Sequence, residues 1–486
     1  MSWTHHLPPP SIGALLSEVL EFEASLLEEQ QPDPDPSPAS SYLNHGGFGD
    51  PHHSVLKLRQ YFTDICYRNK NCTPMVYHRS LVPKLVARAK ARACDYLSIS
   101  QKQGFSFTSI TSALFRVLDS VKFEEGDVIV TTDTIYHSLV DTISHFCKTK
   151  KLKWVQANTP HGCDPEQIFD EFNRVIGSVV SESSNHRVKL AVFDHISSKP
   201  TILYPVDRMC ELCRSLEIPT LVDGAHVPGS IPSHLIHVED TKATFYVVTF
   251  HKWCNTPRGT SGGIWVNQKD IDDMYSSFID VSSLVVDGGW HNQNNNDNAD
   301  MYVDASKPGY FTDGLTQGIY DESTREYENI LVLPHCLDLV LKHEESFQRH
   351  AVRLRAQSIV VLSEAWGLDD DEAQLWGGAG CRLGTADVVA LPMLAIPLPT
   401  SKLLQATTFQ KQDNDETTMT LADQLKILKN HLVPKLWQEY AIEVPVFVWK
   451  NEIVGTRISF GRNVVMQDIE RLGDAINIII EGGLSL

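Results

Sequence analysis

No apolar run in this 486-residue chain reaches the ~18 residues that a membrane-spanning helix needs. Residues 1–30 lack a basic cluster ahead of an apolar stretch and are acidic, which argues against a secretory signal or a transit peptide. The ten cysteines are scattered rather than set at framework spacing, as expected of a reducing compartment, so a cytoplasmic location is the expectation. Positive charge is also scarce. Lys and Arg number 42 against 61 Asp and Glu, a net charge of −19, which disfavours nucleic acid or an anionic membrane as partner. No zinc-type cysteine pairing is present either: Cys210 and Cys213 form a lone CxxC on the apolar stripe of a predicted helix, where packing explains them.

What remains is a soluble-type composition long enough for two domains. Residues 11–30 have the spacing of a short amphipathic helix, and QQPDPDPSPASS after them opposes both helix and strand, so order is expected to begin at Tyr42. Segment 42–49, YLNHGGFG, is either a turn whose glycines need positive φ or a backbone that closely approaches a ligand. Residues 54–70 and 80–97 read as helices, with NCTPMVYHRS between them as a proline-containing loop. FSFTSITSALFRVLDSV carries apolar residues at helical spacing. Its start, Ser109 to Ser112, suits either simple capping or a phosphate on the free N–H groups.

Apolar runs at 127–133, 188–194, 220–223 and 245–250 read as buried strands alternating with helices. That alternation predicts an α/β fold with a mainly parallel sheet covered on both faces, followed by a smaller α+β C-terminal domain. The expected division is a mobile extension (1–41), a large domain (42–330) whose first segment joins the small one, and the small domain (331–486). Ligands of such sheets bind beyond the carboxyl ends of the strands. Asp133, Tyr136, His195, Asp223, His226, His251 and Lys252 all fall just past such ends. Two of them form a chemical pair. LVDGAH ends one strand on a carboxylate and HKW follows another with a lysine, the combination a pyridine-aldehyde cofactor needs.

Together, YLNHGGFG, DHISSKPTILYPV, LVDGAHVPGS, HKW, STREY and the terminal RIS resemble the class V aminotransferase family of pyridoxal-phosphate enzymes of fold type I. The branch most similar contains cysteine desulfhydrases, isopenicillin N epimerase and hercynylcysteine sulfoxide lyase. The resemblance implies pyridoxal 5′-phosphate as cofactor and a homodimer acting on an amino acid. It implies Lys252 as the Schiff-base lysine, Asp223 on the pyridine nitrogen and His226 beside the ring, with Tyr136 over the ring face and catalytic. It further implies cofactor contacts at Ser198 and phosphate contacts at Ile110, Thr111, Thr249 and His251, with Thr324 reaching the partner subunit's phosphate. Arg457, with Asn44, is implied for the substrate carboxylate, a task a guanidinium suits. No metal is implied. SITS, Thr134, Phe250 and STREY depart from the usual family residues. The expected reaction is β-elimination at a carbon–sulfur bond of cysteine or an S-substituted cysteine, giving pyruvate and ammonia. Epimerisation or transamination are the alternatives.

Overall fold

The computed structural model describes residues 12–28, 40–69, 72–100, 104–162, 164–182, 187–259, 262–280, 326–373, 375–376, 381–383, 387–408 and 419–485. Thr324, and the Asn-rich segment read as a loop insertion at 286–310, lie outside them.

Seven strands form the central sheet: β1 (Phe105–Phe107), β2 (Val128–Thr132), β3 (Lys153–Ala157), β4 (Val188–Asp194), β5 (Thr220–Asp223), β6 (Phe245–Thr249) and β7 (Gly262–Val266). Their spatial order is β1-β7-β6-β5-β4-β2-β3. The run from β6 to β3 is parallel, and β7 pairs antiparallel with both β6 and β1. The mainly parallel α/β sheet expected from the sequence is therefore what forms. Alternation divides each strand between two cores. Leu190 and Val192 of β4 join Ile129, Leu221 and Val247 on one face. Ala191 and Phe193 join Val130, Val222 and Val248 on the other. The chain lays β3 outside β2 and then returns to lay β4 on the opposite side of β2. That reversal between β2 and β4 is where such sheets open a crevice for a ligand.

The short strands β1, β3 and β7 escaped the sequence reading. β1 has three residues, β3 leaves most of its side chains partly exposed, and β7 opens on two glycines. Segment 71–80 differs from the expected loop. Pro74–Val76 is helical and continues through a wide turn, Tyr77–Leu81, into a helix at Val82–Tyr96. Thr73 caps it, accepting from Val76 N at 3.3 Å, so Pro74 occupies the first turn, where its missing N–H is not needed.

Order does not begin at Tyr42. Ile12–Glu28 is a packed helix that buries Leu15, Val19, Glu23 and Leu26, near i, i+4 spacing. Its buried carboxylate, Glu23, takes both guanidinium nitrogens of Arg88 at 2.6 and 3.1 Å.

A second, antiparallel sheet holds β8 (Met393–Pro397), β9 (Val446–Trp449) and β10 (Ile453–Ser459) in the order β8-β10-β9. Its core is built with Leu333–Trp366, Leu421–Tyr440 and Met466–Gly482. Val454 and Ile458 of β10 point into that core, so alternation turns Gly455, Arg457 and Ser459 the other way. The N-terminal segment closes the gap: Ser41–Tyr42 pairs parallel with Ile442–Glu443, and Asn44 bridges to Ser459.

Candidate active site

Asp223 ends β5 beside Asp194, the last residue of β4, in direct register. Both carboxyls are buried. Two like charges this close do not both ionise readily. Burial raises the Asp194 pKa well above its ordinary value, Asp223 raises it further, and Thr134 Oγ1 donates to its Oδ2 at 3.4 Å. Burial raises Asp223 as well, opposed by the Lys252 charge and by the Ala225 N–H at 2.9 Å. Asp223 is thus the member of the pair equipped to carry the negative charge. Asp194 went unrecognised in the sequence, although it too ends a strand.

Lys252 is half-buried, and desolvation of its amine lowers its pKa to about 8 despite the attraction of Asp223. Its Nζ lies 3.0 Å from His226 Nε2. Trp253 Nε1, a donor only, reaches His226 Nδ1 at 3.4 Å. The network thereby assigns the imidazole proton to Nε2, pointing at Lys252 Nζ, which accepts it only as a neutral amine. Burial, then the Lys252 charge, holds His226 well below its ordinary range, so the imidazole is neutral. Neutral lysine is the nucleophilic form. Because the lowered pKa leaves more free amine at neutral pH, capture of a pyridoxal aldehyde by the apo protein should accelerate about tenfold per pH unit up to about pH 8 and then level off. A pH series of stopped-flow absorbance traces measures this, and a profile still rising above pH 9–10 (about the ordinary lysine range) would contradict it.

The lysine turn is held from behind by the glycine-rich loop. Gly49 N–H donates to His251 O at 2.7 Å. A Cβ at Gly49 would stand 2.0 Å from Lys252 O and 2.4 Å from Asn255 Oδ1. Among the loop's glycines none has positive φ, so close approach rather than backbone conformation is what requires glycine at 49. Gly49→Ala is expected to cost about 2 kcal/mol of stability through overpacking and to slow aldehyde capture, read by thermal unfolding and by the same traces.

Arg457 lies at the other end of this loop. It is buried, donating from Nη1 to Ser198 Oγ at 2.7 Å and from Nη2 to Asn44 Oδ1 at 2.5 Å. Its Nε is buried without an acceptor, and no carboxylate among the described residues pairs with it. Burial lowers its pKa to about 10, still a cation. Ser198, implied by resemblance for the cofactor, is placed here against the guanidinium.

The remaining residues line the rim. Tyr136 is 42% exposed, with its ring centroid 6.0 Å from Lys252 Nζ. Ile110 opens the helix Ile110–Ser120, capped by Ser109, whose Oγ accepts from Ser112 N at 3.2 Å. Thr111 is exposed at that N-terminus. Gly262 links this end to β6, since a Cβ there would meet both Thr108 O and Val248 O at 2.8 Å. Thr249 Oγ1 donates to Ala225 O at 3.0 Å, which commits its proton. His251 Nδ1 and His195 Nε2 are buried without partners, and burial lowers both imidazoles to about 4.

Residues 50–276 match the aminotransferase class-V family. The chain is 21% identical to the L-cysteine desulfhydrase of Arabidopsis thaliana, over 99% of its own length and 95% of the relative. It is 28% identical to a putative L-cysteine desulfhydrase 2 of Oryza sativa subsp. japonica, over 75% and 68%. In fold it resembles a cysteine desulfurase from Thermococcus onnurineus NA1, with a TM-score of 0.58 and 13% identity over 93% of this chain and 100% of that one. The resemblance drawn from the motifs is thus to the same family whose model matches residues 50–276. Among the described residues no helix is long and apolar enough to cross a membrane.

Proposed function

We propose that this protein is a pyridoxal-phosphate-dependent carbon–sulfur lyase that acts on cysteine or an S-substituted cysteine and releases pyruvate and ammonia. One observation carries the reading. An amine whose pKa is lowered to about 8 feels both a buried carboxylate and a buried guanidinium that has no acid partner among the described residues.

The residues fit the cofactor. Lys252 Nζ would hold its aldehyde, Asp223 the pyridine nitrogen, and His226 the ring oxygen that lies beside the lysine. The Ile110 and Thr111 N–H groups, at an open helix N-terminus, and the unpartnered Nδ1 of His251 suit its phosphate. Thr249 would have to turn its hydroxyl away from Ala225 O to join them. The homodimer is part of the proposal, since Thr111 and Tyr136 are exposed in the single chain and Thr324 is assigned to the partner's phosphate. When bound, the cofactor supplies an electron sink for the pair left at Cα.

The chain's own groups supply the rest. Arg457 takes the substrate carboxylate through the Nε edge that lacks an acceptor and fixes the α-carbon in orientation. Lys252, its amine freed by the substrate amine, removes the Cα proton. Asp223 retains the proton on the ring nitrogen. The carbon–sulfur bond then breaks with its electron pair on sulfur, and Tyr136, on the solvent side of Lys252, gives the departing sulfur a proton.

The experiment is pyruvate release by the purified protein loaded with pyridoxal phosphate. L-cysteine, cystine and a panel of S-substituted cysteines serve as substrates. No pyruvate from any of them ends the proposal, and washout of α-deuterium without pyruvate would replace it with epimerisation.

A further inference from the structure

A cleft of about 990 Å³ opens directly outside the carboxylate end of the site. Tyr136 and Ser198 line it, so it borders both the lysine and the arginine. Its other walls are residues 133–137, the start of the helix Leu421–Tyr440 and the strand Val446–Trp449.

Four lysines face this space: Lys199, Lys426, Lys429 and Lys450. That is opposite to the bulk charge of −19. Lys450 Nζ donates to Thr159 O at 2.6 Å. Lys199, Lys426 and Lys429 have no acid partner among the described residues. The two carboxylates in the lining are engaged elsewhere. Asp133 accepts from Thr159 N and Oγ1 at 2.9 and 2.6 Å, and Asp423 accepts from Thr420 Oγ1 at 2.6 Å. Lys199 is crowded as well as half-buried: burial lowers its pKa to about 8, with further repulsion from Arg457 and Lys429. Such a gathering of like charge costs stability unless an anion enters it.

The placement says which part of a ligand arrives there. Lys199 follows Ser198, which accepts from Arg457. A molecule whose α-carboxylate sits on Arg457 has its far end at the lysines, along an apolar wall of Val446, Val448 and Trp449. We propose that this cleft seats the sulfur substituent and that the preferred substrate is an S-conjugate of cysteine carrying a second carboxylate, bound by Lys199, Lys426 and Lys429. This substrate class rests on the lyase reading; the anion preference of the cleft does not.

Two thioethers without an amine separate these claims, because neither can react. Thiodipropionate carries a carboxylate at both ends, and (propylthio)propanoate carries one and an uncharged tail. Calorimetric titration of the holoenzyme should show the dicarboxylate binding at least about tenfold tighter, with the preference shrinking as salt rises. K426Q/K429Q, on an exposed helix face, should bring the ratio to within about threefold. K199Q should do the same, and the helix variant keeps the test informative if K199Q folds poorly. Equal affinities for the two compounds overturn the proposal. So does equal pyruvate release from S-carboxyethyl-cysteine and S-propyl-cysteine. A dicarboxylate preference with no pyruvate from any conjugate supports the cleft as an anion site and overturns the lyase reading and, with it, the assigned substrate class.

Discussion

Lys252→Ala protein should fold, gain no visible absorbance band when mixed with pyridoxal phosphate, and release pyruvate at least about 10⁴-fold more slowly than the unmodified chain, roughly 5 kcal/mol of barrier. The size follows from the number of tasks gathered on one atom. On the proposed function, the same Nζ would anchor the aldehyde, leave it when substrate arrives, and carry the proton. No neighbour can take these over. His226 is held neutral by burial with its Nδ1 occupied by Trp253, and Lys199 lies beyond Ser198 at the other end of the site. Folding should not suffer, because an amine whose charge desolvation disfavours contributes little to stability. Absorbance spectra and thermal unfolding of the variant read both halves of the expectation. A Lys252→Ala protein that retains the band would remove this lysine from the site.

Arg457→Met should divide function from stability. Loss of the guanidinium leaves a substrate carboxylate without its buried partner, a penalty of about 3 kcal/mol, or roughly a hundredfold in kcat/KM. The loss should fall mainly on KM, because the carboxylate is bound before and during reaction alike. Arg457→Lys keeps the charge but not the planar fork, and should recover only part of the activity. The Tm of Arg457→Met should hold or rise. The native cation is buried against two neutral oxygens with its Nε unsatisfied, so an apolar side chain of similar length removes a desolvated charge. A fall in Tm with KM unchanged would make Arg457 a structural residue instead.

The strand-end chemistry was legible because a parallel sheet writes it locally. Each buried strand is a short apolar run, and the residue after it is the one that reaches the crevice. Asp223, His226 and Lys252 were singled out in this way. The same rule applied to Asp194, but its meaning depends on Asp223 in the neighbouring strand, 29 residues on in the chain and directly opposite in space. Trp253 was legible only as part of HKW; its hydrogen bond to His226 joins two separate strand ends. Gly49 was misread for a related reason. Glycine in a turn suggests positive φ, whereas here the constraint comes from the carbonyl of Lys252. The helix at Ile12–Glu28 showed its amphipathic spacing, but not the half-buried Arg88 that donates to its buried Glu23. Ser109 to Ser112 cap a helix and still leave its terminus open, so both readings of that stretch hold at once.

The loop 42–49 ties the two sheets together at both ends of the site. Asn44 grips Arg457 in the C-terminal sheet, and five residues later Gly49 grips the backbone of the lysine turn in the central sheet. The spacing between the guanidinium and the lysine turn is therefore held by one stretch of chain, like the jaws of a calliper. If the two sheets shift against each other, this strip either carries the shift to both ends together or breaks one of its grips. A change in the spacing of the two sheets would thus reach the lysine turn and the arginine through the same eight residues.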